Sequence, residues 1–294
     1  MSTTRTMSPY RTLISAAQLQ SLMADGPQPV LLDCRFDLAN PSAGEQAYAA
    51  GHLPGAHYLH LDRDLSAAQR DAQGRMRGRH PLPEPLAFAT LALSLGIDRG
   101  VQVVAYDAQG GVYASRAWWL LRWIGHAEVA VLDGGFNAWT QAGGPVTTAL
   151  PVREPAPRRT PAEVVAAMPT LDADALQAQL GTVALVDARA PERFRGDVEP
   201  LDPVAGHIPG ALNRAFGLNL GADGRFKPAG QLADEWRHLL GGRAAAEVVH
   251  QCGSGVTACH NLLAMEHAGL AGSRLYPGSW SEWCADPARP VARG

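Results

Sequence analysis

A chain of 294 residues is long enough for two domains of ordinary size, each with its own core. With 46% apolar and 18% charged residues it is globular rather than disordered, and a net charge of −3 excludes a nucleic-acid surface as its main partner. Four scattered cysteines, with no C-x-x-C pair and no His/Cys cluster, exclude a disulfide scaffold and a zinc site. The opening run MSTTRTMSPYRTLIS lacks the apolar core of a signal peptide, and Arg122 interrupts the short aromatic run Trp118–Ile124 before it could span a bilayer. The expected location is therefore cytoplasmic, with no membrane partner and no cofactor.

Apolar periodicity (Leu13, Leu19, Leu22) predicts a helix over 11–26, followed by the buried strand PVLLDCR. A polar loop then ends in AAGHLPGAHYL, Ala49–Leu59, where Pro and Gly enforce a turn. A helix is expected over Pro85–Leu95, then the strand and glycine-rich loop VQVVAYDAQGG. The helix ASRAWWLLRWIG, the strand EVAVLDGG and the helix FNAWTQAG follow. Helix and strand in alternation predict an α/β fold built on a mostly parallel sheet flanked by helices. Between Pro145 and Pro169 six prolines favour an extended linker. The expected division is a first domain at 8–145, a linker at 146–169 and a second domain at 170–294.

Beyond the linker the programme repeats. VALVDARAPERF answers VLLDCRF, with Asp33 and Asp187 lying 154 residues apart, as do Arg35 and Arg189. VAGHIPGAL answers AAGHLPGAH (His52 and His207, offset 155), and LYPGSWSEW answers LDGGFNAW (Trp139 and Trp283, offset 144). VVHQCGSGVTA answers VVAYDAQGGVYA, setting Cys252 145 residues after Asp107. Four blocks in one order at a nearly constant offset are a duplicated domain. Only the second copy carries the thiol, so the first reads as an inactive copy, with Asp107 organising its loop and shaping a cleft between the domains.

VVHQCGSGVTACH reads as strand, tight loop and helix, with Cys252 at the end of the strand. Open α/β sheets bind ligands at that end. Gly253 and Gly255 let the backbone curl around the sulfur, and the following helix turns its positive end to the loop. An amide cradle of this kind favours a nucleophilic sulfur. Cys34, Cys259 and Cys284 lack such a loop and read as structural, while Trp118, Trp119, Trp139 and Trp283 read as core. The basic run Arg75, Arg77, Arg79 reads as a solvated loop.

The paired GHxPGA blocks, the strands ending Asp-x-Arg and the loop Cys252-Gly-Ser-Gly-Val-Thr-Ala resemble the tandem rhodanese-domain sulfurtransferases over about residues 10–290. The resemblance implies two rhodanese-like domains and a ping-pong reaction in which Cys252 takes the outer sulfur of a small-molecule donor as a persulfide. Cyanide, or a thiol such as reduced thioredoxin, then removes it. The loop is similar to that of the 3-mercaptopyruvate-type enzymes, since thiosulfate-type enzymes place basic residues where Gly253 and Ser254 stand. By that likeness Ser254 works with His52 in proton handling, Arg193 binds the donor's anionic end, and Gly253, Gly255, Val256 and Thr257 line the donor site. Some relatives carry a second arginine before GHIPG, where this chain has Leu201. Thiosulfate remains the alternative donor. A cysteine phosphatase is disfavoured because Ala258 stands where its clamping arginine would be, and a non-catalytic rhodanese-like binding module is the remote alternative.

Overall fold

Short runs of Val, Leu and Ala that are apolar on both sides cannot lie on a surface, and they form the central strands of two parallel sheets. The computed structural model describes residues 9–151, 164 and 166–294; the first eight residues and most of the proline-rich stretch lie outside the described residues. In the first half the order is β1 (Leu13–Ile14), α1 (Ala16–Asp25), β2 (Val30–Asp33), α2 (Ala43–Ala50), β3 (His57–Tyr58), α3 (Leu61–Asp64) and α4 (Pro85–Ser94). Then come β4 (Val103–Tyr106), α5 (Ala114–Trp123), β5 (Val129–Leu132) and α6 (Gly135–Gln141). The second half holds α7 (Ala173–Ala178), β6 (Ala184–Asp187), α8 (Pro191–Arg195), β7 (Leu212–Asn213) and α9 (Ala229–Leu240). It closes with β8 (Val248–Gln251), α10 (Thr257–His267), β9 (Arg274–Leu275) and α11 (Ser279–Trp283).

The sheets run β1-β5-β4-β2-β3 and β7-β6-β8-β9, with every pairing parallel. β3-β2-β4-β5 and β7-β6-β8-β9 are the same unit; the edge strand β1 is reduced in the second half to a single bridge, Thr170 to Leu275. The helix expected over 11–26 begins only at Ala16, because Ser15 caps it: its hydroxyl accepts from the Gln18 amide while the Gln18 side chain accepts from the Ser15 amide. Leu13 and Ile14 are thereby left to pair with β5.

Alternate strand residues face opposite sides of a sheet, and this sorts the core into layers. Leu32, Val103, Ala105, Val129 and Val131 of the first sheet share one apolar cluster with Ala184, Val186 and Val248 of the second. Their neighbours Leu31, Val104 and Ala130, and likewise Leu185 and Val249, face two separate outer cores. The shared cluster also takes Trp118, Trp119, Leu262 and Leu263, so α5 and α10 pack together between the halves. Each buried Val or Leu of this cluster contributes about 1.5–3 kcal/mol, so the halves stabilise one another through it. Trp118, Trp119, Trp139 and Trp283 are all buried, as their sequence positions suggested.

Two fully buried histidines are held neutral by loss of water: His250 is lowered to about 3 and His260 to about 4. His260 joins the halves, with Nε2 against the Gly110 carbonyl at 3.0 Å and Nδ1 facing the Asn219 amide at 3.2 Å, its ring stacked on Phe226. An unfolded histidine takes up a proton below about pH 6.5 and these do not, so acid favours unfolding. Between pH 7.5 and pH 5 each is expected to cost about 2 kcal/mol of stability. Urea unfolding at the two pH values checks this: His260→Gln should lose less stability on acidification than the native chain, and an equal loss would contradict the assignment.

Candidate active site

At the C-terminal end of β8 the chain must reverse into α10, and three residues make this possible. Gly255 is left-handed, φ 77°, and a Cβ there would collide with the Pro277 carbonyl. Gly253 is not left-handed; it is glycine for space, since a Cβ would lie 3.0 Å from Arg79 Nη2 and 3.5 Å from Arg193 Nη1. Ser279, φ 55°, is the one non-glycine residue with positive φ among the described residues, a conformation costing about 1–3 kcal/mol. The hydroxyl of Ser279 accepts from the Cys252 amide at 3.1 Å and donates to the Tyr276 carbonyl at 3.0 Å. The Trp280 and Ser281 amides hold the carbonyls of Cys252 and Gly253. Cys252 itself is buried, and its Sγ accepts from the Gly255 amide at 3.1 Å.

The corresponding loop of the first half is filled by its own residue. Asp107 Oδ1 accepts from the Gln109 and Gly111 amides, and Oδ2 from those of Tyr113 and Ala114, all at 2.8–3.0 Å. Asp107 is thus a loop organiser, as its sequence position suggested, and burial raises its carboxyl while the four amides oppose that shift.

Across the cleft, His80 Nδ1 lies 2.8 Å from Ser254 Oγ, and His80 Nε2 lies 3.1 Å from Asp62 Oδ1. Burial lowers the histidine, against the pull of Asp62; the hydrogen bond from His80 in turn lowers Asp62. A neutral ring between an ionised carboxylate and a hydroxyl keeps its proton on Nε2 and accepts from Ser254 on Nδ1. The serine can therefore give up and return a proton two residues from the sulfur.

His52, expected in this role, is elsewhere. It is fully buried against Tyr48 (ring centroids 3.9 Å), with Nδ1 2.8 Å from the Tyr48 carbonyl and Nε2 3.1 Å from that of Ala149. His207 stacks on Phe194 at the same 3.9 Å, with Nδ1 2.8 Å from its carbonyl. Their backbones also form matching bridges, His52 to Thr147 and His207 to Ala292. The GHxPGA histidine is a structural part of each domain. In the same way Arg35 and Arg189 each clasp their own Asp-x-Arg carboxylate, Asp33 or Asp187, and the carbonyl of Gly51 or Gly206.

Arg193 does reach the cleft, as do Gly253, Ser254, Val256 and Thr257; they line a cavity of about 410 Å³ with Cys252, Arg79 and His80. Arg193 belongs to an alternating ladder of charges. Asp187 pairs with Arg189, Arg189 with Glu199, Glu199 with Arg193, Arg193 with Asp202, and Asp202 with Arg79 of the other half. Arg79 is thus no solvated loop residue, and its backbone is also held by the Ser281 hydroxyl at 2.9 Å. Beneath the loop lies Arg116 of α5, fully buried, donating to the carbonyls of Leu65, His80, Pro81 and Gly255. Burial lowers this guanidinium, while the Cys259 and Cys252 sulfurs favour its charge. Burial also pushes Cys259 up to about 12, in keeping with a structural thiol.

His80 and Asp62 stand in no sequence motif, and Arg79 reads as a solvated loop residue, because all three belong to a segment that is longer in the first half than in the second. The bridges Arg70–Met76 and Leu220–Phe226 mark the matching turns. An unshared His in the copy that lacks the thiol was the available signal.

Comparison with known proteins agrees with this architecture. A profile of the rhodanese-like domain matches twice, at residues 15–142 and 172–286. A probable 3-mercaptopyruvate sulfurtransferase of Pseudomonas aeruginosa is 50% identical over 285 residues, covering 96% of this chain and 98% of its own. A putative thiosulfate sulfurtransferase of Mycobacterium tuberculosis is 42% identical, covering 97% and 98%. Among solved structures, 3-mercaptopyruvate sulfurtransferase from Leishmania major superposes with TM-score 0.81 at 28% identity, over 94% of this chain and 75% of its own. SseA from Escherichia coli, a 3-mercaptopyruvate sulfotransferase, does so with TM-score 0.73 at 29% identity, over 93% and 100%. The sequence repeat, the two matching sheets and these likenesses together make the chain a member of the rhodanese-like family, with the domain present twice.

Proposed function

We propose that the chain is a sulfurtransferase that takes the sulfur of 3-mercaptopyruvate onto Cys252 and passes it to cyanide or to a thiol such as reduced thioredoxin. The observation that carries this reading is the hydrogen-bonded line Asp62–His80–Ser254 beside the sulfur. Mercaptopyruvate brings a thiol proton that must move during the transfer, and thiosulfate brings none. The Cys252 sulfur attacks the donor sulfur; the new S–S bond forms as the S–C bond breaks, and the electron pair passes to the carbon as the enolate of pyruvate. Ser254, backed by His80, takes the donor's thiol proton and returns it to that carbon, so the products are the persulfide and pyruvate. In the second half-reaction the acceptor attacks the outer sulfur and the Cys252 thiolate leaves.

Asp107 supports the persulfide. A carboxylate carries its oxygens one atom beyond Cγ, about where a persulfide carries its outer sulfur beyond Sγ, and in the first half those oxygens collect four amides. The second loop is one residue shorter, so beyond it the offset is 144 and the amides answering Gly111, Tyr113 and Ala114 belong to Gly255, Thr257 and Ala258, of which the Gly255 amide already meets Cys252 Sγ. Such a ring stabilises a negative outer sulfur without rearranging. Arg193 is assigned the donor's anionic end, while Gly253, Gly255, Val256 and Thr257 shape the pocket. On this reading 8–145 is the inactive copy, 146–169 the linker and 170–294 the catalytic domain. Four buried free thiols favour a reducing, cytoplasmic setting. Thiosulfate is the second reading, favoured by the name of the mycobacterial relative.

Thiocyanate formation from cyanide, with the two donors at matched concentrations, tests the assignment. The native chain should prefer mercaptopyruvate, and Cys252→Ser should lose activity with both donors; a residual rate above a few per cent would put the nucleophile elsewhere. Ser254→Ala and His80→Ala should each lower the mercaptopyruvate rate by about 10²-fold or more and spare thiosulfate; equal losses would favour the second reading. Arg193→Ala should raise the donor KM more than it lowers acceptor turnover. The relay works only while His80 is neutral, and its proton affinity is lowered. The acid limb of the mercaptopyruvate rate should therefore lie below about pH 6.5, and a limb above that value would remove His80 from the relay.

A further inference from the structure

The ladder of charges in the cleft ends on an arginine that the second domain does not own. Arg193 and Arg79 approach Gly253 from the two halves, and each offers one Nη nitrogen to Asp202. The Nε of each guanidinium is buried without a hydrogen-bond partner among the described residues. Buried guanidinium N–H groups left unpaired are costly, and here two of them belong to side chains that line the cavity containing Cys252. Gly253 has no conformational need to be glycine, yet any side chain there would push against Arg79. Leu201, on the acidic loop, lines the same cavity and offers no charge. Arg189 lines it too, but is engaged by Asp187, Glu199 and the Gly206 carbonyl.

We propose that Arg79 is the second guanidinium of the donor's anion site, delivered from the non-catalytic half and paired with Arg193 across Gly253. This rests on the sulfurtransferase reading and extends it: the donor is a small molecule with an anionic tail, carboxylate or sulfonate, clamped between the domains with its sulfur toward Cys252. Asp202 holds the two guanidiniums in place and balances their charge. The donor site is then complete only when both halves are present, and the first half contributes binding as well as the Asp62–His80 pair.

The test compares Arg79→Ala, Arg79→Lys, Asp202→Asn and the double variant Arg79→Ala/Asp202→Asn in the full chain, measuring donor KM and cyanide KM separately. Loss of one charge-assisted contact should raise the donor KM about tenfold or more in Arg79→Ala, for mercaptopyruvate and thiosulfate alike, with cyanide KM unchanged. Lysine should recover part of the loss. If Arg79 only neutralised Asp202, removing that carboxylate as well would restore the native donor KM; an anion anchor predicts that the double variant stays impaired. A donor KM within about twofold of native in Arg79→Ala, or full recovery in the double variant, overturns the proposal. Failure of the donor assignment alone looks different: the native chain would prefer thiosulfate, and Arg79→Ala would still raise the KM for that anion. A native chain that turned over neither donor would remove the reading and the proposal together.

Discussion

A buried positive charge without a carboxylate partner is costly, and among the described residues Arg116 is such a charge at the base of the cleft. Arg116 leaves α5 in the first half and donates to four carbonyls, those of Leu65, His80 and Pro81 on its own side and that of Gly255 in the cysteine loop. Removing the guanidinium would strand several buried acceptors at about 1–3 kcal/mol each, which is why the segment carrying Arg79 and His80 must stay where it is. One side chain therefore ties the segment carrying His80 in one half to the Cys252 loop in the other. The apolar packing of α5 on α10 supplies the energy that keeps this charge dry.

Duplication explains both the symmetry and its failure. Each half repeats the Asp-x-Arg clasp, the histidine stacked on an aromatic ring and the indole bonded to a carbonyl near the domain's end: Trp139 to Pro145 and Trp283 to Pro290. These devices hold a strand end, a turn and a closing segment, and both copies need them. The loop at the end of the central strand differs: in the first half the Asp107 carboxylate fills a ring of four amides, and in the second Cys252 Sγ meets the Gly255 amide. The first half also carries the longer segment that reaches over its neighbour's loop, bringing His80 to Ser254.

Most of the fold was legible in the sequence. The parallel α/β character, the repeat, the core tryptophans, the Cys252 loop and the role of Asp107 all follow from periodicity and from matching one half with the other. Local pattern could not say which histidine meets Ser254. The GHxPGA histidine is prominent because it is repeated, and repetition marks structure. His80 is inconspicuous because it meets Ser254 only through the packing of the halves, 174 residues separating the two, and Asp62 is marked only by its contact with His80. Arg79 was hidden for the same reason, its ion pair with Asp202 spanning 123 residues. Even Gly253 was only half legible: its need for space, rather than for a left-handed backbone, is visible once the guanidiniums are in place.

The most direct test of the persulfide is mass spectrometry of the native chain after incubation with 3-mercaptopyruvate and no acceptor, followed by peptide mapping. The expected result is the gain of one sulfur atom, confined to the peptide containing Cys252, formed together with pyruvate and lost on addition of cyanide. Unmodified protein, or sulfur mapped to Cys34, Cys259 or Cys284 instead, would contradict a sulfur transfer centred on Cys252.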